Sequence, residues 1–185
     1  MTPRIPPLDP KSTVGPAREI FDKLQAKVGA VPNLYRVLGQ SPAALAAYVS
    51  LNEALARAKL EPPLREKIAL AVAQRNGCGY CVSAHSFLAK RSGIDPAAIA
   101  QARAGGAAEP REAAALALAL RLVEGHGRLS DAELAQARAA GLTDGELVEI
   151  VGLVAANTFS NYLSLVARTP IEFPIAPDLP QAEAA

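Results

Sequence analysis

The stretch Cys78-Gly79-Tyr80-Cys81-Val82-Ser83-Ala84-His85 holds both cysteines of the chain and one of its two histidines. On a helix the step from Cys78 to Cys81 is i,i+3 and the step from Cys81 to His85 is i,i+4. Those spacings stack side chains on one face. At about 100° per residue the three groups fall within an arc of roughly 60°. Two thiols and an imidazole on one stripe can form a disulfide and carry the proton that thiol chemistry moves.

The residues just before this stretch set its context. Pro62-Pro63 opens an apolar helix, and Asn76-Gly77 stops it. A second helix starting around Cys78 makes an antiparallel hairpin with the first. Glu66 lies about ten residues before the turn and His85 about eight after it, which leaves the two nearly level, offset by roughly 3 Å along the axes. Glu66 can then orient and charge His85, while His85 faces Cys81 one turn back. The result is a relay from carboxylate to imidazole to thiol. Which thiol it serves stays open on spacing alone. The helix N-terminus favours ionisation of Cys78, and the imidazole favours Cys81.

Farther out, prolines, glycines and caps mark more helices. Ser41-Pro42 opens one. The cysteine helix ends near Gly93. Asp95-Pro96 starts a short helix that stops at Gly105-Gly106, and Pro110 starts an alanine-leucine helix that stops near Gly125. Ser130 with Glu133, and Thr143 with Glu146, form capping boxes. No convincing alternating strand occurs, so the fold class is all-α, built on helical hairpins. The chain divides into an extended arm over 1–16, one all-α domain over 17–168, and a proline-rich tail over 169–185. In the tail Ile171, Phe173 and Ile175 alternate, so it straps onto a neighbour before fraying near Gln181. Both ends are long enough to embrace adjacent subunits. The segment from Glu66 also aligns with that from Glu146 at an offset of 80, with Cys78 and Cys81 on Thr158 and Asn161. This spacing suggests an internal pseudo-repeat in which one half keeps the chemistry.

Composition narrows the function. Half of the 185 residues are hydrophobic, a fifth are charged, and the net charge is +1, which is globular and gives nucleic acid no basic surface. Aromatics are 4% and Trp is absent, so alanine and leucine carry the packing of close helices. No run of about 18 uninterrupted apolar residues occurs and the N-terminus has no signal-peptide core, so no membrane partner is expected and the location is cytoplasmic. Two cysteines in a reducing compartment read as redox chemistry rather than a structural staple. Zinc would need a second ligand pair, and His126, in a loop between glycines, is the only other candidate. No metal and no cofactor is therefore expected. Asn157, Thr158 and Asn161 are polar in an apolar helix; they line a pocket or bond across the pseudo-repeat.

Glu66, eleven residues, Cys78-x-x-Cys81, three residues, His85, flanked by Pro63-Leu64-Arg65 and Asn76-Gly77, resembles the core motif of the alkylhydroperoxidase D family, within the carboxymuconolactone decarboxylase-like superfamily. The similarity spans roughly residues 40 to 105. The resemblance implies a helical bundle assembled as a homo-oligomer, trimeric or hexameric. It implies an antioxidant, thiol-dependent reduction of a hydroperoxide substrate, reset by a dithiol reductant of lipoyl or thioredoxin type. By that pattern Cys81 attacks the peroxide, Cys78 donates a proton and resolves the product to a disulfide, and Glu66 and His85 serve the proton relay. Tyr80 stands where the best-studied members have histidine. The Cys-x-Tyr-Cys form is similar to a branch described as peroxidase-related, and a phenol of ordinary pKa about 10 does not shuttle protons near neutrality. Tyr80 is therefore read as pocket wall or packing. The cysteine pair argues against decarboxylation. A general dithiol-disulfide oxidoreductase and a non-catalytic redox-sensing oligomer are the competing readings.

Overall fold

The computed structural model describes residues 2–179; the expected fraying near Gln181 lies outside them. Among the described residues there are nine helices and no strand: α1 Pro16–Val28, α2 Asn33–Leu38, α3 Pro42–Leu55, α4 Pro62–Arg75, α5 Gly79–Arg91, α6 Pro96–Arg103, α7 Pro110–Glu124, α8 Asp131–Ala139 and α9 Asp144–Ala167. The all-α reading holds.

The boundaries follow local chemistry. Proline occupies the first turn of α1, α3, α4, α6 and α7, where its missing N–H removes nothing from the helix. Ser130 and Thr143 complete reciprocal capping boxes with Glu133 and Glu146 at the starts of α8 and α9. The end of α4 is set by Asn76 and by Gly77, whose φ of 67° is left-handed and costs a glycine little.

Helix α4 is the hub. Six consecutive residues, Ile68 to Ala73, are buried, so this helix is enclosed on every side. It packs against α5, α6, α7 and α9. One core cluster gathers the apolar faces of α4, α6, α7 and α9 around Ile68, Leu70, Leu116 and Ile150. A second lies beneath α1 to α3, where Phe21, Leu34, Leu45 and Tyr48 cover Cys78, Tyr80 and Cys81. The thiols thus sit in a small core of their own, at the seam between the hub and the N-terminal helices.

The two ends lie on their own chain. In the arm, the N–H groups of Arg4 and Ile5 donate to the carbonyl of Ala167 at 2.8 and 3.3 Å, which occupies a free acceptor at the end of α9. In the tail, the Ala176 N–H donates to Ser83 Oγ at 3.2 Å, and Phe173 packs edge-on against Tyr80 at 5.7 Å between ring centroids. The neighbour that the tail straps is therefore α5.

The pseudo-repeat does not extend to the backbone. The segment from Glu146 runs on as one unbroken helix, α9, where the segment from Glu66 breaks at Asn76-Gly77 and turns. Helix α9 also has the length and mean hydropathy of a membrane-crossing helix, with half of that window buried in the protein. Glu149, Asn157 and Asn161 interrupt its apolar run. Its outer face leaves Val148, Val151, Phe159, Tyr162 and Val166 exposed.

Candidate active site

Cys78 is not on the helical stripe that its spacing suggests. It is the N-cap of α5, with φ −85° and ψ 90°, and its Sγ accepts from the Cys81 N–H at 3.3 Å. A cap residue folds its side chain over the first turn, so the two cysteines meet by capping rather than by i,i+3 stacking. Cys81 and His85 lie within α5 at the expected i,i+4 spacing. Both cysteines are free thiols and both are buried.

The hairpin brings Glu66 and His85 together. His85 Nδ1 is 2.9 Å from Glu66 Oε2, and both side chains are partly exposed. A carboxylate only accepts, so Nδ1 carries the hydrogen and Nε2 is left to exchange a proton. Glu66 is not in the first turn of α4, whose first turn holds no acid, so it is not there to complement the helix dipole. Glu146, its counterpart at the offset of 80, fills that role in a capping box and also pairs with Arg111.

These contacts polarise the two sulfurs in opposite directions. Cys81 is held below the ordinary thiol value, first by the hydrogen bond from Cys78 and then, against the opposing effect of burial, by the charge of His85 and by Asn161 and Ser164. Cys78 is pushed well up, by donating that same hydrogen bond and by burial. Burial works against charge on His85, but Glu66 outweighs it and raises the imidazole above its usual value, with a further contribution from Cys81. The arrangement favours charge on Cys81 and His85 and keeps the proton on Cys78. Among the described residues no three of His, Cys, Asp and Glu converge as a metal-holding set.

Tyr80 is a structural tie. Its hydroxyl accepts from the Leu34 N–H at 3.1 Å and donates to Glu172 at 2.9 Å, and Glu172 also accepts from the Asn33 N–H at 2.8 Å. Burial raises its pKa far above the ordinary phenol value, so it holds its proton at neutral pH. It joins the start of α2, the cysteine helix and the tail.

Two hollows open beside these residues, one at Glu66 and His85 and one at Cys78. A 390 Å³ cavity is lined by Tyr48, Asn52, Glu66, His85 and Asn157. A 550 Å³ groove on the other side is lined by Cys78, Tyr80, Ser164, Leu165 and Ile171. Tyr48, Ser164 and Glu172 were not picked out from the sequence. Ser164 had a usable signal, since Asn157, Ser160, Asn161 and Ser164 form one polar stripe at i,i+3 and i,i+4 on an otherwise apolar helix. Tyr48 and Glu172 had none, because only tertiary packing brings them near. His126 is exposed, in a loop with φ 51°.

Residues 42–124 match the carboxymuconolactone decarboxylase family. This segment is a domain of that family. It contains Glu66, both cysteines and His85, so every group of the relay falls inside the family match. No curated protein matches the chain. Solved structures extend the likeness to nearly the whole length. An alkylhydroperoxidase AhpD core, peroxidase-related protein from Ralstonia eutropha JMP134 is 25% identical, with a TM-score of 0.83 over 92% of both chains. A peroxidase-related protein from Silicibacter sp. TM1040 is 20% identical, with a TM-score of 0.78 over 92% of this chain and 94% of the other. The debrominase Bmp8, in a cysteine-to-alanine variant bound to 2,3,4-tribromopyrrole, is 22% identical, with a TM-score of 0.77 over 93% of both. The family fold therefore carries more than one chemistry, and the reaction must be argued from the site.

The relay has a pH signature. Glu66→Gln removes the charge that keeps His85 protonated, and His85 then no longer favours the Cys81 thiolate. The midpoint of Cys81 alkylation by iodoacetamide should rise by about 0.5 to 1 pH unit, toward the ordinary thiol value near 8.5. Rate against pH for wild type and variant, with the modified peptide identified by mass spectrometry, checks this.

Proposed function

We propose that the chain is an antioxidant, thiol-dependent peroxidase that reduces hydroperoxides through a dithiol/disulfide cycle of Cys81 and Cys78. The observation that carries this reading is a pair of buried free thiols, with Cys78 Sγ capping the Cys81 N–H at 3.3 Å, on the helix whose His85 is bonded to a carboxylate at 2.9 Å. A structural pair of buried cysteines has no need of that arrangement.

In the first step the Cys81 thiolate attacks the terminal oxygen of ROOH; the S–O bond forms as the O–O bond breaks, giving Cys81–SOH and RO⁻. The alkoxide takes a proton from the His85 imidazolium and leaves as ROH. The Cys78 sulfur then attacks Cys81, the S–S bond forms, and the hydroxyl leaves with the Cys78 proton as water. An external dithiol, of lipoyl or thioredoxin type, supplies two electrons and two protons, restores both thiols and departs as a disulfide. A reducing compartment such as the cytoplasm suits this cycle. The tie made by Tyr80 fixes the wall of the groove beside Cys78 and takes no part in proton transfer.

Reduced protein mixed with a moderate excess of organic hydroperoxide should lose both free thiols together within minutes, and Cys78→Ser should accumulate sulfenic acid at Cys81. Retention of both thiols contradicts the reading. Sulfenic acid found only on Cys78, in Cys81→Ser, reverses the two roles.

The same reading includes a homo-oligomer, a trimer or hexamer. It is supported by the row of large apolar side chains along the outer face of α9, 41–71% exposed from Val148 to Val166. Light scattering should give a multiple of the 19.2 kDa chain; a single-chain mass at micromolar concentration contradicts it.

A further inference from the structure

Asn161 is fully buried on α9, and its Nδ2 has no hydrogen-bond partner. That is a costly state for an amide, which in a protein interior almost always finds acceptors for its hydrogens. The other polar residues of the same stripe are satisfied. Asn157 Nδ2 donates to the Leu153 carbonyl at 2.8 Å, Ser160 Oγ donates to the Asn157 carbonyl at 2.9 Å, and Ser164 Oγ lies 3.9 Å from Cys81 Sγ.

The direction of the Asn161 amide is held from outside. Asn76, at the end of α4, donates through Nδ2 to Asn161 Oδ1 at 2.9 Å. With its oxygen engaged, Asn161 keeps a free N–H₂ group on the stretch of α9 that packs against the thiol helix, one turn before Ser164. Asn161 is among the groups that favour the ionised form of Cys81. A neutral thiol is a weak acceptor and leaves the donor largely unused. A thiolate is a strong one, and so is the oxygen of a sulfenate. The donor is thus unfulfilled in the resting thiol and fulfilled as negative charge builds at the reacting sulfur, which is the arrangement of a preorganised electrostatic catalyst.

We propose that Asn161 is a further catalytic residue, whose amide N–H₂ donates to the Cys81 sulfur when it is ionised and to the oxygen it takes up. Asn76 is its positioning residue. The role toward the thiolate is independent of any peroxide; the role toward the oxygen rests on the peroxidase reading. The two asparagines come from the end of α4 and the middle of α9, so the site draws on both sides of the hub.

Asn161→Leu and Asn76→Ala in the full-length reduced protein test this, with three readouts: the pH midpoint of Cys81 alkylation, the melting temperature, and the second-order rate with an organic hydroperoxide. Asn161→Leu should raise the midpoint by about one pH unit, a roughly fivefold loss of thiolate at pH 7 for a thiol that starts at about 7. It should leave the melting temperature equal or higher, since an unpaired buried donor is removed. The peroxide rate should fall by more than tenfold. Asn76→Ala, at a half-buried helix end that tolerates truncation, should raise the midpoint by a smaller amount. A midpoint unchanged or lowered in Asn161→Leu overturns the proposal, and so does an unchanged midpoint in Asn76→Ala should Asn161→Leu not fold. Alkylation needs no peroxide, so a shifted midpoint in a protein whose thiols ignore peroxide would sink the peroxidase reading and leave Asn161 as the donor to the thiolate.

Discussion

The turn at Asn76-Gly77 is the constraint on which the rest of the structure depends. It ends α4, reverses the chain, and delivers Cys78 to the N-cap of α5 with its sulfur over the Cys81 N–H. The same reversal sets the register between α4 and α5 and so brings Glu66 to His85. A residue added or removed there would rotate α5 by about 100° relative to α4. It would uncouple the thiol pair and the relay in one step. Gly77 with its left-handed φ makes so tight a reversal inexpensive.

Around that turn the protein accepts local cost for chemistry. Helix α4 is sheathed in apolar contacts, and α9 supplies most of the opposite wall with leucine, valine and alanine. Into that wall it sets Asn157, Ser160, Asn161 and Ser164, all buried, and Ser164 Oγ lies 3.9 Å from Cys81 Sγ. Polar groups in such a place are retained where they hold or stabilise charge, since apolar replacements of similar volume would pack at least as well. The tie from Tyr80 to Leu34 and Glu172 works in the other direction, fixing α2 and the tail over the cysteine helix. In this chain the residue between the cysteines secures the walls around them.

Much of this was legible in the sequence because it is local. Prolines in first turns, two capping boxes and the stop at Asn76-Gly77 marked helix ends that the structure reproduces from Pro42 onward. The approach of Glu66 to His85 was legible too, because a tight hairpin fixes the level of residues on its two arms. The cysteine geometry was only half legible: spacing suggested a shared stripe, and capping governs instead, since one residue at a helix start decides whether a side chain points along the helix or over its end. Helices α1 and α2 were not marked in the sequence, although α1 begins where the N-terminal arm was read to end. For Asn161 the two sequence readings were pocket lining and a bond across the pseudo-repeat; the bond from Asn76, in the segment that starts at Glu66, fits the second. The contacts of Glu172 and Phe173 with Tyr80 join positions about ninety residues apart, and nothing local announces them.

The central claim is that capping and the relay divide the two sulfurs, ionising Cys81 and keeping Cys78 protonated. A pH titration of the reduced protein labelled with ¹³C at the cysteine Cβ atoms, followed by NMR with Cys78→Ser and Cys81→Ser for assignment, tests it directly. The account predicts that the Cys81 resonance titrates below the ordinary thiol range, while that of Cys78 stays at its thiol position to the top of the accessible pH range. Two resonances moving together near the value of a free cysteine, or Cys78 moving first, would contradict it.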